Sequence, residues 1–429
     1  TDQFQVENKK PSLNYYDYIL KSGFQPIFSI SHRRAVGYEA LLRPFKNLQI
    51  VSPEEVFMNA VYAGVSADLD IICHTLHAYN FKETIKDNDN WLFLNIIPSS
   101  IVYYDVGVMN FEEVLKRTGI QANQIVIEIL ENDIANDPRI DDAIEYFKEI
   151  GCKIAIDDFG AGYSNFERIW RLEPDMVKLD RTIIKRTAYS ERLNFSLSKL
   201  VALLHETGSL VLAEGIETEE EGLLAIDSDV DLVQGYYFSK PFLADQFSEL
   251  NDDKCEYLHN VFRKKTLEEA NSSNETLMPY VRYLDNFVYS LKAGVTIDNA
   301  IDTNKDVLTS WGLSDLRRIY MIDENGYQIG SNIDIQVPNS NGSKKLSPLV
   351  NTSNSNWYYR PYFRSAISLP NAIHCSGPYL SMTDAEMCLT LSVAVMINGK
   401  LMVICCDIDW SNSSSSNAGI NFTPKALLN

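Results

Sequence analysis

Eight short runs rich in β-forming residues, most of them separated by helix-like segments, limit how this chain can fold. They lie between residues 24 and 238 and read FQPIFSI, AVGYEALLR, WLFLNII, QIVIEIL, CKIAIDD, DMVKLD, LVLAEGI and DLVQGYYF. Strands that alternate with helices form a parallel sheet, and eight such units predict an α/β fold, a TIM-like (β/α)8 barrel. Only residues 31–34 separate the first two runs, which is a hairpin length, so we expect an antiparallel first strand.

The pattern changes after residue 242. Residues 245–293 look mainly helical, and residues 294–410 contain strand-like pieces such as RRIYMID, LTLSVAVMI and KLMVICCDID. The closing SNSSSSNAGINF is of low complexity, which is typical of a flexible segment. We therefore divide the chain into a barrel (1–250), a helical linker (251–293), an α+β domain (294–410) and a flexible tail (411–429).

The predicted linker carries an apolar stripe whose members recur at alternating spacings of four and three residues. They are Leu277, Val281, Leu284, Val288 and Leu291. This spacing is that of a coiled-coil seam, which must be buried. The stripe packs either against the sheet of the following domain or against a second copy in a homodimer. Just over two heptads rarely hold a free-standing coiled coil, which favours the first interpretation.

Composition excludes several classes of protein. The formal net charge of −20 argues against a binder of polymeric nucleic acid, which needs a basic face. No run approaches the roughly 18 apolar residues of a membrane helix, and the first ten residues lack the apolar core of a signal peptide. The seven cysteines are scattered without a CxxC pair, which is typical of buried thiols in a reducing compartment. We expect a cytoplasmic protein that does not enter a membrane.

Polar residues stand near the C-terminal ends of seven of the eight runs, where buried parallel strands should be apolar. They are Glu39, Asn95, Glu128, Asp157 with Asp158, Lys178 with Asp180, Glu214 and Gln234. In a barrel these ends share one rim, where catalytic groups lie. Several carboxylates in a mouth of low dielectric are costly unless they are neutralised. An all-oxygen ligand set suits Mg²⁺ or Mn²⁺ rather than zinc, so we predict a divalent-metal site.

The adjacent aspartates in this set restrict the local backbone. Within a strand Asp157 and Asp158 would point to opposite faces. Both can face the site only if the strand ends there, and the turn-like FGAGYS follows at once. Asp157 is then positioned to bridge two metals while Asp158 binds one. The alternative is an Asp-capped turn that enters a helix.

Other members of the set also have alternative interpretations. Lys178 could be a surface lysine whose stem covers apolar surface, although its place beside Asp180 at a strand end favours a function. Glu214 and Glu217 could form a charge pattern at the start of a helix. Gln25 and Gln234 could simply bond to the backbone.

The ordered motifs closely resemble those of the EAL family of bacterial cyclic-di-GMP phosphodiesterases. The resemblance covers roughly residues 20–245 and consists of QPI (25–27), EALLR (39–43), LNIIPSS (94–100), EILE (128–131), DDFGAGYS (157–164), KLD (178–180), AEGIE (213–217) and QGYYFSKP (234–241). It implies a metal-dependent signal-transduction hydrolase that cuts cyclic-di-GMP to linear pGpG. Two divalent cations would activate a water in this reaction. No GGDEF-type cyclase motif occurs in the sequence.

The resemblance also implies a role for each matching residue. One metal would be bound by Glu39, Asn95, Glu128 and Asp157, and the second by Asp157, Asp158 and Glu214. Lys178 would hold the attacking water, with Glu214 as a proposed base and Glu39 counted with them as catalytic. Glu131 would brace the loop that begins at Asp158, which couples dimerisation to metal binding in the family. The implied substrate contacts are Gln25, Leu42, Arg43, Asp180, Glu217 and Gln234.

One position departs from the family pattern. The third residue of the EILE motif is usually Thr and here is Leu130. Loss of a hydroxyl close to metal ligands commonly lowers affinity or activity about 10- to 100-fold, so we expect slow turnover. A cyclic-di-GMP receptor without useful hydrolysis is the alternative function.

The second domain is similar to Cache or PAS-like sensor domains. The similarity rests on YMIDENGYQIGSN (320–332), with Asn325-Gly326 as a hairpin signal, and on NWYYRPYFRSAI (356–367), SGPYLSMTD and CDID. It implies regulation by an unidentified small-molecule ligand. Arg360 and Arg364 would suit a carboxylate or a phosphate, or they could pair with acids of the same domain. The aromatic residues either contact that ligand or fill a core.

Overall fold

The chain folds into two compact units, Thr1–Lys264 and Lys265–Asn429. The structure is a computed structural model. It describes residues 12–86, 89–96, 111–131, 138–162, 166–188, 190–247, 253–296, 299–300, 313–335, 352, 355–384, 386–409 and 421–422.

The first unit contains a closed barrel of eight strands. In chain order its strands, with two short flanking ones, are β1 (Ser12–Tyr15), β2 (Tyr18–Ser29), β3 (Arg34–Lys46), β4 (Gln49–Ile50), β5 (Trp91–Asn95), β6 (Ile125–Leu130), β7 (Lys153–Phe159), β8 (Met176–Leu179), β9 (Leu210–Ala213) and β10 (Leu232–Val233). The ring runs β2-β3-β5-β6-β7-β8-β9-β10 and returns to β2. β2 is antiparallel to both β3 and β10, and the other neighbours are parallel. The predicted barrel with an antiparallel first strand is confirmed.

Helices follow most of the strands and cover the outside of the barrel. They are Pro53–Tyr62, Ser66–Thr84, Phe111–Thr118, Pro138–Glu149, Phe166–Leu172, Arg181–Ala188, Glu191–Glu206 and Glu219–Asp227. Local sequence sets some of their starts. The Ser52 hydroxyl accepts a hydrogen bond from the Glu54 amide, and Thr218 forms a reciprocal capping box with Glu221. The apolar faces of these helices pack on the outward faces of the strands in one continuous core.

The interior of the barrel is filled by an apolar layer to which each of the eight strands contributes a residue. The layer consists of Ile27, Val36, Phe93, Val126, Ala155, Met176, Leu212 and Leu232. Side chains two positions apart on a strand share a face. The residues two positions after the layer on β5 to β10 are Asn95, Glu128, Asp157, Lys178, Glu214 and Gln234. The packed layer therefore supports a polar layer at the C-terminal rim.

The second unit is built on a seven-stranded antiparallel sheet. Its strands are β12 (Leu316–Asp323), β13 (Gln328–Asp334), β14 (Ile373–Cys375), β15 (Tyr379–Leu380), β16 (Met387–Ile397), β17 (Lys400–Asp409) and β18 (Asn421–Phe422). The short strand before them in the chain, β11 (Phe242–Leu243), belongs to the first unit. The order is β13-β12-β17-β16-β14-β18, with β15 on β16. Asn325 and Gly326 lie in the turn of the predicted β12–β13 hairpin, with Gly326 at φ 87°. Within the predicted tail, Asn421–Phe422 pairs with β14, and the rest lies outside the described residues.

The two faces of this sheet have separate cores. Ile319 and Met321 of β12 face the long helix Asp253–Lys292, and Tyr320 and Ile322 face the helix Pro361–Ser368. This is the period-two alternation expected of a strand that is buried on both sides.

The apolar stripe of the predicted linker is buried inside the second unit. Leu277, Val281, Leu284, Val288 and Leu291 are each at most 5% exposed and pack with strands of the sheet. Intramolecular packing therefore occupies the seam, and the coiled-coil interpretation is wrong. Residues 251–293 were predicted to be a linker between domains. The boundary between the two compact units falls inside this helix, after Lys264, and the linker bounds stay a prediction.

Two predictions from composition can be compared with the described residues. All seven cysteines are buried and none is in a disulfide, which agrees with their interpretation as small apolar residues. None of the helices in the described ranges is long and apolar enough to cross a membrane.

Candidate active site

Lys178 is the centre of the polar layer. Its side chain is 1% exposed, and Nζ lies 2.5 Å from Glu128 Oε1, 2.9 Å from Asp157 Oδ1 and 2.6 Å from Glu214 Oε1. These residues stand on or directly after the neighbouring strands β6, β7, β8 and β9, whose parallel register brings them together. A lysine buried this deeply requires paired charges, so the surface-lysine interpretation is wrong.

Glu39 joins the other side of the rim to this cluster. Glu39 Oε2 accepts a hydrogen bond of 2.7 Å from Gln234 Nε2, and Glu39 Oε1 accepts one of 3.2 Å from Asn95 Nδ2. Because Asn95 donates through its amide nitrogen, its side-chain oxygen is the atom it can offer to a cation. Glu39, Asn95 and Gln234 are thus linked to one another at the rim that holds Lys178.

Asp157 and Asp158 are adjacent, yet both carboxylates approach Glu214. Ligand oxygens of the three residues lie within 4.8 Å of one another. We expected the strand to end at the two aspartates, but it continues to Phe159. A bulge in the pairing between Ile156 and Phe159, with Asp158 at φ 55°, turns the second carboxylate toward the first. The Asp158 amide also donates to Asp157 Oδ1 at 3.0 Å.

Burial and neighbouring charges shift the pKa of three groups of the site, Glu128, Lys178 and Glu214. Burial raises the pKa of Glu128 well above its usual range, and burial with the nearby Asp157 and Glu39 charges raises the pKa of Glu214 to about 8. Burial alone would lower the pKa of Lys178, but the surrounding carboxylates outweigh it and hold that pKa well above its usual value. An added positive charge would favour the ionised acids.

Glu128 has a buried carboxylate oxygen that lacks a partner and could be stabilised by such a charge. It is 1% exposed, and Oε2 has no hydrogen-bond partner in the described part of the chain. A buried carboxylate oxygen without a partner is costly, and a divalent cation is a natural partner for it. The neighbouring oxygens of Asp157, Asp158 and Glu214 have the hard-ligand chemistry of Mg²⁺ or Mn²⁺. These residues therefore fit a divalent metal.

Comparison with known proteins places this arrangement in a family. The EAL domain family matches residues 20–241, which is more than half of the chain. The chain belongs to the EAL domain family. Two similar proteins are the EAL-domain containing protein YkuI of Bacillus subtilis and the cyclic di-GMP phosphodiesterase PdeF of Escherichia coli.

The relatives differ in how much of each chain is covered. YkuI is 29% identical over 387 residues, which cover 86% of this chain and 90% of YkuI. PdeF is 30% identical over 222 residues, and the match covers 51% of this chain but only 29% of PdeF. The crystal structure of YkuI in complex with substrate c-di-GMP and calcium has a TM-score of 0.73 at 23% identity. It covers 91% of this chain and 96% of that one, which shows that the fold is shared.

The loop-bracing residue expected in an EAL domain lies beside the bulge. Glu131 is buried, and its Oε2 accepts a hydrogen bond of 3.3 Å from the Gly160 amide. Arg168 donates to the Glu131 carbonyl and lies 3.9 Å from its carboxylate. Glu131 thus connects β6 to the loop after Asp158. Motif residues 97–100 and 163–164 lie outside the described residues.

The residues that the family resemblance implies as substrate contacts lie in different surroundings. Gln25 is opposite Glu39 in the strand register, and its amide reaches the Ser239 carbonyl at 3.5 Å. Asp180 accepts hydrogen bonds from the amide and hydroxyl of Thr182. Glu217 is exposed and paired with Arg181 and Lys185.

Leu42 and Arg43 are neighbours in β3, and their side chains lie on opposite sides of that strand. Leu42 is 7% exposed and packs outside the barrel in a cluster that includes Val56 and Leu69. Its carbonyl accepts a 3.0 Å hydrogen bond from Arg43 Nη1. Since alternate side chains face alternate sides, Arg43 shares the Glu39 face and the Leu42 side chain does not.

Sequence reasoning missed His74, a buried residue of the helix Ser66–Thr84. Its Nε2 bonds the Asn95 carbonyl at 2.9 Å and lies 3.5 Å from Asp70 Oδ1. It therefore fixes the end of β5, where Asn95 enters the rim. A single histidine on a helix gives no local signal of this long-range contact.

Proposed function

We propose that the EAL unit hydrolyses cyclic-di-GMP to linear pGpG with the help of two divalent cations. The observation that carries the proposal is the buried Lys178 within 2.9 Å of three carboxylates at the rim of the barrel. Family membership supports the same activity, as do relatives named cyclic di-GMP phosphodiesterases, PdeF and RocR of Pseudomonas aeruginosa. The chain spans 29% of PdeF and 36% of RocR, so the proposal concerns this unit alone.

The cations would be divided between the two halves of the rim. One would be held by Glu39, Asn95, Glu128 and Asp157, and the other by Asp157, Asp158 and Glu214. When bound, such ions lower the pKa of a coordinated water and stabilise charge on a phosphate. Mg²⁺ or Mn²⁺ is proposed because every donor is an oxygen.

The protein's own groups would position the reactants. Lys178 would orient the attacking water, and Glu214, whose Oε1 lies 2.6 Å from Lys178 Nζ, would accept its proton. Gln25, Arg43, Asp180, Glu217 and Gln234 would contact the dinucleotide. Leu42 would contribute no side-chain contact, because that side chain is buried outside the barrel.

Product analysis tests this function. The purified chain is incubated with cyclic-di-GMP and Mg²⁺ or Mn²⁺, and pGpG is measured by chromatography with and without excess EDTA. Glu128→Gln should abolish product formation, whereas Glu145→Gln on an exposed outer helix should not. Absence of pGpG with both metals would overturn the proposal, and undiminished turnover in EDTA would overturn its metal requirement.

A receptor for cyclic-di-GMP is the second candidate. It is favoured by the Lys178 ion pairs, which neutralise part of the acidic charge of the rim without a cation, and by Leu130 at the position where the family usually has Thr. Equilibrium binding in EDTA discriminates the two. Tight binding without product in either metal supports the receptor, and metal-dependent product supports the enzyme.

We also propose that the second unit is a PAS- or Cache-like sensor that regulates hydrolysis, that the protein is a homodimer, and that it works in the cytoplasm. Because the stripe at 277–291 is buried, any dimer would use another surface. Sedimentation velocity gives the oligomeric state. Fractionation of cells that express the protein tests the location.

A further inference from the structure

The second unit contains a cavity on the face of the sheet that carries the helix Pro361–Ser368. About 310 Å³ of space, its open mouth included, is left unfilled by protein atoms. That volume includes open solvent at the mouth, so only a small ligand could be enclosed by the lining residues. The lining residues that matter here are Arg318, Trp357, Arg360, Tyr362, Tyr379 and Asp407.

Arg360 contacts two aromatic rings at the cavity. Its Cζ lies 5.3 Å from the ring centre of Tyr359 and 5.4 Å from that of Tyr379. The buried Nε donates no hydrogen bond to any described residue, and no ion pair to Arg360 occurs within that part of the chain. Cation–π contact of this kind stabilises the guanidinium and leaves its hydrogen-bond donors to a partner.

Arg318 provides a second set of unused donors. It is 3% exposed, its Nη2 is bonded to Asp384, and its Nε lies 3.6 Å from Asp407 Oδ2. Nη1 is buried and has no hydrogen-bond partner among the residues described. A buried guanidinium nitrogen without an acceptor is costly, so a ligand that supplies an oxygen would be favoured.

The unmatched atoms restrict the ligand's chemistry. Among the described lining residues they are nitrogens of Arg318 and Arg360, and the Asp407 oxygens are not among them. Asp407 Oδ1 accepts hydrogen bonds from Thr390 Oγ1 at 2.7 Å and Tyr320 OH at 3.3 Å. The ligand must therefore offer acceptors, and the buried Asp407 charge disfavours a dianion such as phosphate.

The walls favour a flat anion with a short apolar chain. The rings of Tyr362 and Tyr379 are stacked at 5.9 Å, and the Trp357 ring nitrogen is occupied by Gln328 Oε1 at 2.9 Å. These aromatic surfaces offer apolar contact with few remaining donors. A planar carboxylate matches the guanidinium fork in two parallel hydrogen bonds.

We propose that this cavity binds a small organic monocarboxylate, with its oxygens at Arg360 and at Nη1 of Arg318 and its apolar chain against Tyr362 and Tyr379. The site belongs to the second unit alone, so the inference does not depend on the hydrolysis proposed for the first.

Calorimetric titration of the full chain tests the chemistry. Sodium propionate is compared with neutral propionamide and with inorganic phosphate. Propionate should bind saturably and more tightly than either of the other two. Equal binding of propionamide, tighter binding of phosphate, or no saturable binding of propionate would each overturn the proposal.

Matched variants test whether the ligand binds at Arg360. Arg360→Gln should weaken propionate binding by about 10-fold or more, since truncating a charged partner of this kind is costly. Arg364→Gln, on the exposed side of the same helix, should leave binding unchanged. An unchanged affinity in a folded Arg360→Gln variant would overturn the assignment, as would an equal loss in Arg364→Gln.

Tryptophan fluorescence keeps the test valid if Arg360→Gln fails to fold. Trp357 lines the cavity, so propionate should change the emission of the unaltered chain with the same dependence on concentration as the calorimetric signal. Trp357→Phe should remove that change. A change that persists in Trp357→Phe would place the binding elsewhere and overturn the proposal.

Discussion

Lys178 Nζ lies 2.6 Å from Glu214 Oε1, across the ends of two neighbouring parallel strands. The register pairs Leu179 with Ala213, so Glu214 follows directly where β9 ends beside β8. The contact is therefore set by the backbone and not by a flexible loop. It places one ammonium group among acids that would otherwise repel one another.

Lys178→Met should remove that ammonium group while nearly preserving the volume of the side chain. We expect hydrolysis to fall by about 10²- to 10⁴-fold, the usual contribution of a group that positions or transfers a proton. The acids lose their counter-ion, so the melting temperature should fall more in EDTA than in Mg²⁺. Initial rates and thermal denaturation measure both effects.

The control for this variant is Lys199→Met, at an exposed position of the helix Glu191–Glu206. It should match the unaltered chain in both measurements. Turnover by Lys178→Met at the unaltered rate would remove Lys178 from the mechanism.

Asp158→Asn tests the role of the carboxylate separately from the role of the backbone conformation. Asp158 has φ 55°, a conformation that Asn also tolerates, so the fold should be kept while hydrolysis is lost. Asp158→Ala should lose the same activity and in addition about 1 kcal/mol of unfolding free energy. Urea denaturation and pGpG formation distinguish the two variants, and full activity in Asp158→Asn would contradict its role at the metal.

Leu130→Thr tests the departure from the family motif. Leu130 is 39% exposed and lies opposite Asp157 in the register of β6 and β7, so the change sacrifices little packing. If the absent hydroxyl limits the site, the rate should rise about 10-fold or more. Stopped reactions over a range of Mg²⁺ concentrations measure it. An unchanged rate would show that the chain works without that hydroxyl.

The barrel and its rim could be predicted because both depend on short-range pattern. Period-two alternation places Asp157 and Lys178 two residues beyond interior residues, and parallel strands bring their ends together. The bulge at Asp158 could not be predicted, since it depends on the register with β8. The His74 contact with Asn95 joins residues 21 positions apart and has no local signature.

The second unit shows a different limit. The stripe from Leu277 to Leu291 required burial but did not specify a partner, since a heptad spacing suits a sheet as well as another helix. The structure supplies the missing information, namely the strands that cover it. Arg360 shows the same limit. From the sequence, acids of this unit could pair with any of its arginines, and only the fold shows that they pair with Arg317 and Arg318.

Leu284→Ala tests that packing. Leu284 is fully buried in the core of the second unit, so truncation should cost about 2–5 kcal/mol of unfolding free energy. Asn286→Ala, exposed on the same helix, should cost little. Urea denaturation measures both, with sedimentation velocity at each step. A Leu284→Ala chain of unaltered stability that loses dimerisation would restore the intermolecular interpretation of the seam.

His77 should make the stability of the barrel unit sensitive to acid. Its Nδ1 lies 2.8 Å from Ser22 Oγ, which itself accepts a hydrogen bond from Asn80. Burial, with smaller contributions from His74 and Arg43, lowers the pKa of His77 to about 3. In the unfolded chain the pKa is about 6.5, so below that pH the unfolded state takes up a proton that the folded state refuses. The stabilisation is complete above about pH 6.5 and is lost as the pH falls towards 3.

The matching experiment is urea unfolding between about pH 7 and pH 5 for the unaltered chain and for His77→Gln, which cannot titrate. The free energy of unfolding of the unaltered chain should fall more steeply, by up to about 1.4 kcal/mol per pH unit, because that is the linkage limit for one proton. All other titrating groups are common to both chains and cancel in the difference. His259→Gln, at an exposed position, should keep the steep slope. Parallel slopes for His77→Gln and the unaltered chain would mean that His77 does not remain neutral in the folded protein.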